Sequence, residues 1–335
     1  MRLLVVGDMH VKNNNINQID SLLEKITNTI QNKNPDYVVL LGDLVDSHET
    51  MHLQTWNRVL NILCSICELC KVIYVVGNHD MLNNQQFLND NNWFHVFNII
   101  GHDRIIVANK PIEIGNCIFT PYVFNGRFEE SLKDIDLHGK SAIFCHQEFS
   151  GAQMQSIESK TGDAPLKNIP IISGHIHDRQ IMSGSDYYVN YIGSPIDTSF
   201  VAPVKRYMEI IDVGHESATS INFDSIEIKN IPRKILIKTN VEDFENINIK
   251  EDENQYKIKI IDSDVNIFRC KNGKKFKSLK LLNNISILFK TTNLNQVQKN
   301  IKKDNDFMNI LTEDIKNEDE SVQKVFKDVY NRTKK

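Results

Sequence analysis

Asp8 and His10, Asp43, Asn78 and His79, His146, and His175 and His177 each stand just past a short apolar run. They offer carboxylate, amide and imidazole donors and no thiol. Apart from His79 they make seven potential oxygen or nitrogen ligands. One ion takes about four to six ligands, so the set is rich enough for two. In Asp8-Met9-His10 and His175-Ile176-His177 one residue is skipped, and residues i and i+2 of an extended chain face the same way. Each pair can then reach a single ion. Asp43 can bridge, since a carboxylate has two oxygens. Mixed imidazole, carboxylate and amide donors suit Mn²⁺, Fe or Zn²⁺ better than Ca²⁺ or Mg²⁺.

The elements that must carry these residues are legible as apolar runs. Leu3–Val6 ends at Gly7-Asp8-Met9-His10, Tyr37–Leu41 at Gly42-Asp43, and Val72–Val76 at Gly77-Asn78-His79-Asp80. Ala142–Cys145 ends at His146, and Ile169–Ser173 at Gly174-His175-Ile176-His177. Between the first three runs, Ile16 to Ile30 and Trp56 to Cys67 repeat at helical spacing. This β-α-β-α-β alternation implies a parallel sheet, which brings strand ends to one edge, where open α/β sheets bind ligands. Short strands are expected at 105–107, 112–114 and 117–120, and a loop over the site at 147–168. Tyr187–Ile192 and Tyr207–Asp212 are expected to close a second sheet.

A chain of 335 residues suits about two domains. Its 41% hydrophobic and 24% charged residues are those of a globular protein. The net charge of −4 excludes a polycation, so contact with nucleic acid would need a local basic patch. Met1-Arg2 leads straight into Leu3–Val6, too short for a signal-peptide core, and no apolar run approaches about 18 residues. Neither secretion nor a membrane span is expected. Cys64, Cys67, Cys70, Cys117, Cys145 and Cys270 read as reduced thiols of an intracellular protein, cytoplasmic or nuclear.

At the strand ends the sequence resembles the calcineurin-like metallophosphoesterases, whose five motifs it matches in order over roughly residues 1–215. The resemblance implies an α/β fold, a β-sandwich flanked by helices in four αββα layers. It implies two divalent ions, Mn²⁺ first and Fe or Zn²⁺ otherwise. Asp8, His10, Asp43 and His177 would hold one, and Asp43, Asn78, His146 and His175 the other. His79 would lie beside the scissile phosphate, oriented by Asp80. Two such ions clamp phosphate oxygens and lower the pKa of a water between them. His79 would stabilise the transition state or protonate the leaving oxygen.

Within that superfamily the chain looks most like the SbcD-type nuclease subunit of double-strand-break repair complexes and the small subunit of the phage recombination endonuclease. The core begins at residue 2, and Asn190-Tyr191-Ile192-Gly193-Ser194-Pro195 is similar to a Tyr-x-Gly-Ser-Pro segment of that family. The implied organisation is a nuclease domain at 1–231, a small α/β capping domain at 232–292 and a charged helical tail at 293–335. The implied partners are DNA, an SMC-like coiled-coil ATPase of the SbcC type, and a second copy in a homodimer. One departure is Asp46, where many members carry a phosphate-placing histidine.

Outside these motifs the readings stay open. Asn272-Gly273 between Val265–Lys271 and Lys274–Leu282 signals a hairpin. Arg269, Lys271, Lys274, Lys275, Lys277 and Lys280, with Phe276 among them, would make its tip a DNA contact or a solvated surface. Val322, Val325, Phe326, Val329 and Tyr330 form an apolar stripe, for the chain's own core or for a partner's groove. Cys64, Cys67 and Cys70 read as ordinary thiols on a helix. His48 or His52, close after Asp43, could line the site, and Glu148 could support it. Trp56 and Trp93 read as core. Three functions compete: a Mn²⁺-dependent DNA nuclease, a phosphatase or cyclic-nucleotide phosphodiesterase on the same fold, and a scaffold without activity. The complete ligand set argues against the last.

Overall fold

The structure is a computed structural model, and it describes residues 1–154, 157–200, 204–214, 221–249 and 252–292. The chain divides into two compact units, Met1–Leu236 with Asp252–Tyr256, and Ile237–Glu251 with Lys257–Lys335. The stripe Val322–Tyr330 and the tail at 293–335 lie outside the described residues, as does His215.

The first unit opens with strand β1 (Arg2–Val6), helix α1 (Ile16–Lys33), β2 (Tyr37–Leu40), α2 (Leu53–Leu69), β3 (Lys71–Val75), α3 (His95–Ile99) and β4 (Ile105–Ala108). It continues with β5 (Ile112–Ile114), β6 (Cys117–Thr120), the single turn α4 (Phe128–Ser131), β7 (Ala142–Cys145), β8 (Gln153–Met154), β9 (Ile157–Glu158) and β10 (Pro170–Ser173). The remaining strands are β11 (Gln180–Ser183), β12 (Tyr188–Tyr191), β13 (Arg206–Val213) and β14 (Ile221–Ile228). One six-stranded sheet runs β14-β13-β1-β2-β3-β4 and the other β11-β12-β10-β7-β6-β5.

Alternation of side chains builds the layers. Leu3, Val5, Val39, Leu41, Ile73 and Val75 turn inward and meet Phe119, Phe144, Ile172 and Ile192 of the second sheet in one buried cluster. Leu4, Val6, Val38, Leu40, Val72 and Tyr74 turn outward and pack against Ile19, Leu22 and Ile26 of α1 and Val59, Ile62 and Leu63 of α2. Strands buried on both faces must be apolar throughout, which is why these runs do not alternate in sequence. The outer face of the second sheet is covered more thinly, by Phe128 of α4, Leu132, Phe149 and Ile176. The α/β sandwich stands, with its outermost layer on that side reduced to one turn and loops.

Two expectations fail here. β13 does not close the second sheet. It pairs antiparallel with β1, Leu4 opposite Ile210, and fills the edge of β1 that β2 leaves free. The second unit is built on the sheet β15 (Lys234–Thr239), β16 (Gln255–Asp262) and β17 (Ile285–Thr291), with helices α5 (Val241–Asn246), α6 (Asp264–Asn272) and α7 (Lys274–Leu279). Asn272-Gly273 is therefore a break between two helices rather than a hairpin turn. A tight hairpin turn needs positive φ, whereas Gly273 sits at φ −66° and ψ 152°. The signal for α6 was the Ser263 cap, whose side chain accepts from Asn266 N, with Ile267 and Cys270 one turn apart on the buried face. Lys275 donates to the Glu245 carbonyl at 2.6 Å, and Lys271 lies 4.8 Å from the Phe289 ring centroid. The basic run is thus partly spent inside its own unit.

No helix among the described residues is long and apolar enough to cross a membrane. Cys64 is exposed and Cys67 and Cys70 are buried on or just after α2, all three free.

Candidate active site

Parallel register carries the strand ends to one edge. Val6 pairs with Leu40 and Leu40 with Tyr74, so Asp8, Asp43 and Asn78 leave the first sheet at one level. Ser173 pairs with Cys145, so His146, His175 and His177 leave the second sheet together. The loops bend sharply. His10, Asp43 and His175 adopt φ of +43°, +48° and +75°. Such backbone costs about 1–3 kcal/mol per residue and survives where its surroundings hold it. Asp8 and His10 therefore converge through a left-handed bend, not through the extended chain that i, i+2 spacing implies. The crossing is so close that a Cβ on Gly174 would lie 2.4 Å from the Leu41 carbonyl and 2.6 Å from Asp8 Oδ1. Gly174→Ala is expected to displace His175 and cut bound metal at least about tenfold, read by metal content per chain.

Asp8, His10 and His177 form one group, with donor atoms within 4.8 Å of one another, and Asp8, Asp43 and His146 another. His10 Nε2 and His177 Nε2 face each other at 2.9 Å. Asp8 Oδ2 is buried without a hydrogen-bond partner. On the other side, Asn78 Oδ1 lies 3.0 Å from His146 Nε2 and 2.9 Å from His175 Nδ1. Asp43 Oδ2 reaches both sets, 3.6 Å from His10 Nε2 and 3.3 Å from His146 Nε2. Nitrogen and oxygen lone pairs do not crowd like this for their own sake, and a cation in each group resolves the crowding. The donor set fits divalent ions, and all seven expected ligands come together.

A surrounding ring of contacts aims the imidazoles. The Leu41 carbonyl, 2.6 Å from His146 Nδ1, can only accept, so Nδ1 carries a proton and Nε2 faces the site. Asp46 Oδ1 stands 3.0 Å from His10 Nδ1 as an ion-pair contact, and Thr198 Oγ1 meets His177 Nδ1 at 3.0 Å. Glu148 Oε2 stands 3.9 Å from His175 Nε2, and the Tyr122 ring stacks on His175 with centroids 5.8 Å apart. Sequence reasoning had Asp46 only as a departure and missed Thr198 and Tyr122, whose contacts join chain segments far apart. Replacing Asp46 with Asn should weaken metal binding about 10–100-fold without loss of fold, measured by competition with a chelating dye.

Burial pushes His146 down, but Asp43 and Asp8 outweigh it and raise it to about 9. Burial carries His177 down to about 4, and His79 is also lowered, by burial first. Burial alone would raise Asp46, yet His10 and Lys12 hold it at about 2. In the metal-free protein His146 is thus protonated at neutral pH, and ligation must expel that proton. Metal affinity should rise about tenfold per pH unit from this group and level off above pH of about 9. Calorimetry in two buffers of different ionisation enthalpy reads the released proton.

His79 sits beside the first group. Its Nδ1 lies 3.3 Å from the Asp46 carbonyl, and its ring stacks on His48 with centroids 5.0 Å apart and planes 13° from parallel. His48 therefore reaches the site, whereas His52 stands at the start of α2. Asp80 does not orient His79. Its Oδ2 accepts from Tyr74 Oη at 2.6 Å, Gly77 N at 2.7 Å and Asp43 N at 2.9 Å. This carboxylate ties the loop after β2 to the loop after β3. Burial, then the Asp43 charge, push it up against the pull of those donors. Asp80→Ala would strand several buried donors, at about 1–3 kcal/mol each. It should lower the melting temperature of the metal-free protein, an effect that orienting His79 would not produce.

A cleft of about 310 Å³ opens onto these groups, lined by Asp43, Asn78, His79, His175, His177 and Arg206 among others. Arg206 is held by Asp197 at 3.0 Å and donates to the His177 carbonyl at 3.1 Å.

Comparison with known proteins agrees with this geometry. The model of the calcineurin-like phosphoesterase family matches residues 1–179. Protein 244L of Invertebrate iridescent virus 6 is 33% identical over 270 residues, 78% of this chain and 93% of the viral protein. Protein 078R of Invertebrate iridescent virus 3 is 32% identical over 267 residues, 76% of this chain and 75% of that one. Both carry provisional phosphoesterase names. The crystal structure of protein PH1004 from Pyrococcus horikoshii OT3 aligns with 68% of this chain and 88% of its own, at a TM-score of 0.37 and 11% identity, too distant to bear on the argument. With the family's model spanning more than half of its length and two sheets delivering the residues of its motifs to one edge, this chain belongs to the calcineurin-like phosphoesterases.

Proposed function

We propose that the chain is a two-metal phosphodiesterase that cuts DNA, with Mn²⁺ as its working ion. The observation that carries the two-metal reading is the Asp43 carboxylate, set between the group of Asp8, His10 and His177 and the group of Asn78, His146 and His175. Divalent ions held there supply Lewis acidity to phosphate oxygens and an acidified water. His79 then faces the leaving oxygen and stabilises or protonates it. The Asp46 carbonyl accepts its Nδ1–H, so protonating the leaving oxygen from Nε2 requires the imidazolium, which burial makes the minor form in the metal-free protein.

The choice of DNA is supported by the resemblance to SbcD-type nucleases, including the segment Asn190–Pro195. In the fold this segment closes on the site. Ser194 Oγ donates to the Asp8 carbonyl at 2.8 Å, and Gly193 so crowds Gly7 that a Cβ on Gly7 would meet the Gly193 carbonyl. An SMC-like ATPase partner bound by residues 315–335, and a homodimer, belong to the same reading and rest on the sequence. An intracellular location is part of it. Deleting 315–335 should abolish pairing with such an ATPase and leave the core folded.

The test is cleavage of labelled duplex and single-stranded DNA by the purified chain in Mn²⁺, beside His79→Ala. Cleavage by wild type and not by the variant supports the nuclease. The viral relatives' names say phosphoesterase and no more, which a second reading, a phosphatase or cyclic-nucleotide phosphodiesterase, meets equally. Hydrolysis of a small aryl phosphate with no cleavage of DNA would select it.

A further inference from the structure

Asn78 and His175 reach the second metal group from two different sheets, and neither strand end settles how its side chain is turned. A carboxamide oxygen can hold a cation and its NH₂ cannot, and a half-turn of the side chain exchanges the two. The terminal torsion of an asparagine or a histidine is broad, so little in the side chain itself prevents that turn. His175 also stands on strained backbone, at φ +75°. Two residues outside the ligand set, Tyr122 and Asn84, fix both groups.

Tyr122 is buried and pinned at both ends. Its backbone N–H donates to the Val76 carbonyl at 2.8 Å, two residues before Asn78, and its Oη donates to the Asn84 carbonyl at 3.3 Å. Between these anchors its ring stacks on His175 with planes 27° apart, and it meets the His146 ring edge-on with centroids 6.3 Å apart. Asn84 Oδ1 in turn accepts from Asn78 Nδ2 at 3.2 Å. That bond commits the NH₂ of Asn78 to Asn84 and leaves Oδ1 towards His146 Nε2 and His175 Nδ1, at 3.0 and 2.9 Å. Asn84 is an exposed loop residue, and water can satisfy the same NH₂. Water has no fixed position, whereas Asn84 is tied to the ring that packs on His175. Among the described residues neither Tyr122 nor Asn84 makes a hydrogen bond or ring contact with Asp8, His10 or His177.

We propose that Tyr122 and Asn84 are positioning residues for the second ion alone, together turning the Asn78 carbonyl oxygen and His175 Nδ1 towards it. The second ion belongs to the two-metal reading of the site, and its positioning is measurable without turnover. Loss of either contact leaves Asp8, His10 and His177 as they were, so the first ion should stay.

Mn²⁺ is titrated into the metal-free full chain by calorimetry. The two dissociation constants are read beside the electron paramagnetic resonance signal, which tells a coupled pair of ions from a single one. Asn84→Leu keeps the shape and removes the acceptor. It should weaken the second ion at least about tenfold and leave the first within about twofold. Asn84→Asp keeps an acceptor oxygen and should bind both ions at least as tightly as wild type. Tyr122→Phe keeps the stacked ring and frees the Asn84 carbonyl, and should weaken the second ion about fivefold. In the double variant Tyr122→Phe should add nothing to Asn84→Leu, since the hydroxyl acts through that side chain. Equal weakening of both ions would overturn the positioning role, as would wild-type affinities in both Asn84→Leu and Tyr122→Phe, additive losses in the double variant, or no rescue by Asn84→Asp. Asn84 is exposed, so Asn84→Leu keeps the test decisive should Tyr122→Phe fail to fold. A wild type that binds a single ion would overturn the two-metal reading and the positioning with it. A two-ion wild type that leaves bis(p-nitrophenyl) phosphate intact would overturn the phosphoesterase reading alone.

Discussion

Asp43→Asn should lower kcat/KM for bis(p-nitrophenyl) phosphate by about a thousandfold or more and reduce bound metal per chain. The substitution keeps the shape and the Oδ1 acceptor that the His79 backbone N–H uses at 2.8 Å. It removes the charge that lies between His10 Nε2 and His146 Nε2. That charge is also first among the groups raising His146, so with Asn at this position the imidazole should fall from about 9 towards its ordinary value. The sign has a consequence for the metal-free wild type. His146 is raised in the folded state, so its contribution to stability is full below pH of about 6.5 and is lost as pH rises through about 9. Asp43→Asn should flatten that decline in melting temperature. Unchanged turnover in Asp43→Asn, with two metals still bound, would remove the bridging role.

His79→Ala should lower turnover about 10²–10³-fold while metal content stays near that of wild type. The two readouts separate because of what each atom of His79 touches. Its backbone N–H holds Asp43 Oδ1, and alanine keeps that bond. Its ring is held by the Asp46 carbonyl and by the stacked His48, and those contacts go. The ring lies beside His10, centroids 5.0 Å apart and nearly perpendicular, and its donor atom groups with His10 and Asp46 rather than with Asp8 and Asp43. Inductively coupled plasma analysis of metal per chain, beside a rate measurement on the same sample, decides the matter. A parallel fall in both would make His79 a ligand instead of a group that acts on the leaving oxygen.

The glycines around the site explain why its motifs are short and strict. Gly42 sits at φ +87°, and a Cβ there would lie 2.6 Å from His146 Nδ1. The loop after β2 therefore passes within contact of a residue from the other sheet. Close approach of two backbones is the means by which ligands from two sheets share one small volume.

The amino-acid sequence determined the identity of the chemistry. Seven donors of the right types stood past five apolar runs, and both the runs and the donors follow from local rules, burial on two faces of a strand and residue type. Helices α1 and α2 were legible for the same reason, since the apolar stripe of an amphipathic helix is a local pattern. What the tertiary structure decided were the relations between segments far apart in the chain. Strand β13 joined the first sheet because β1 had an open edge, a fact no local pattern records. Asp80, adjacent to His79 in sequence, turned inward to Tyr74 and to the Asp43 and Gly77 amides, while His79 turned to the site. Asn272-Gly273 carried a hairpin's composition, but its backbone was set by helices packing Cys270 and Leu279 into the second unit's core. Asp46, Thr198 and Tyr122 gained their roles from partners across the fold, by reaching His10, His177 and His175. Local sequence specifies which atoms are present, whereas hydrogen-bond direction and burial depend on neighbours that only the packed sheets bring together.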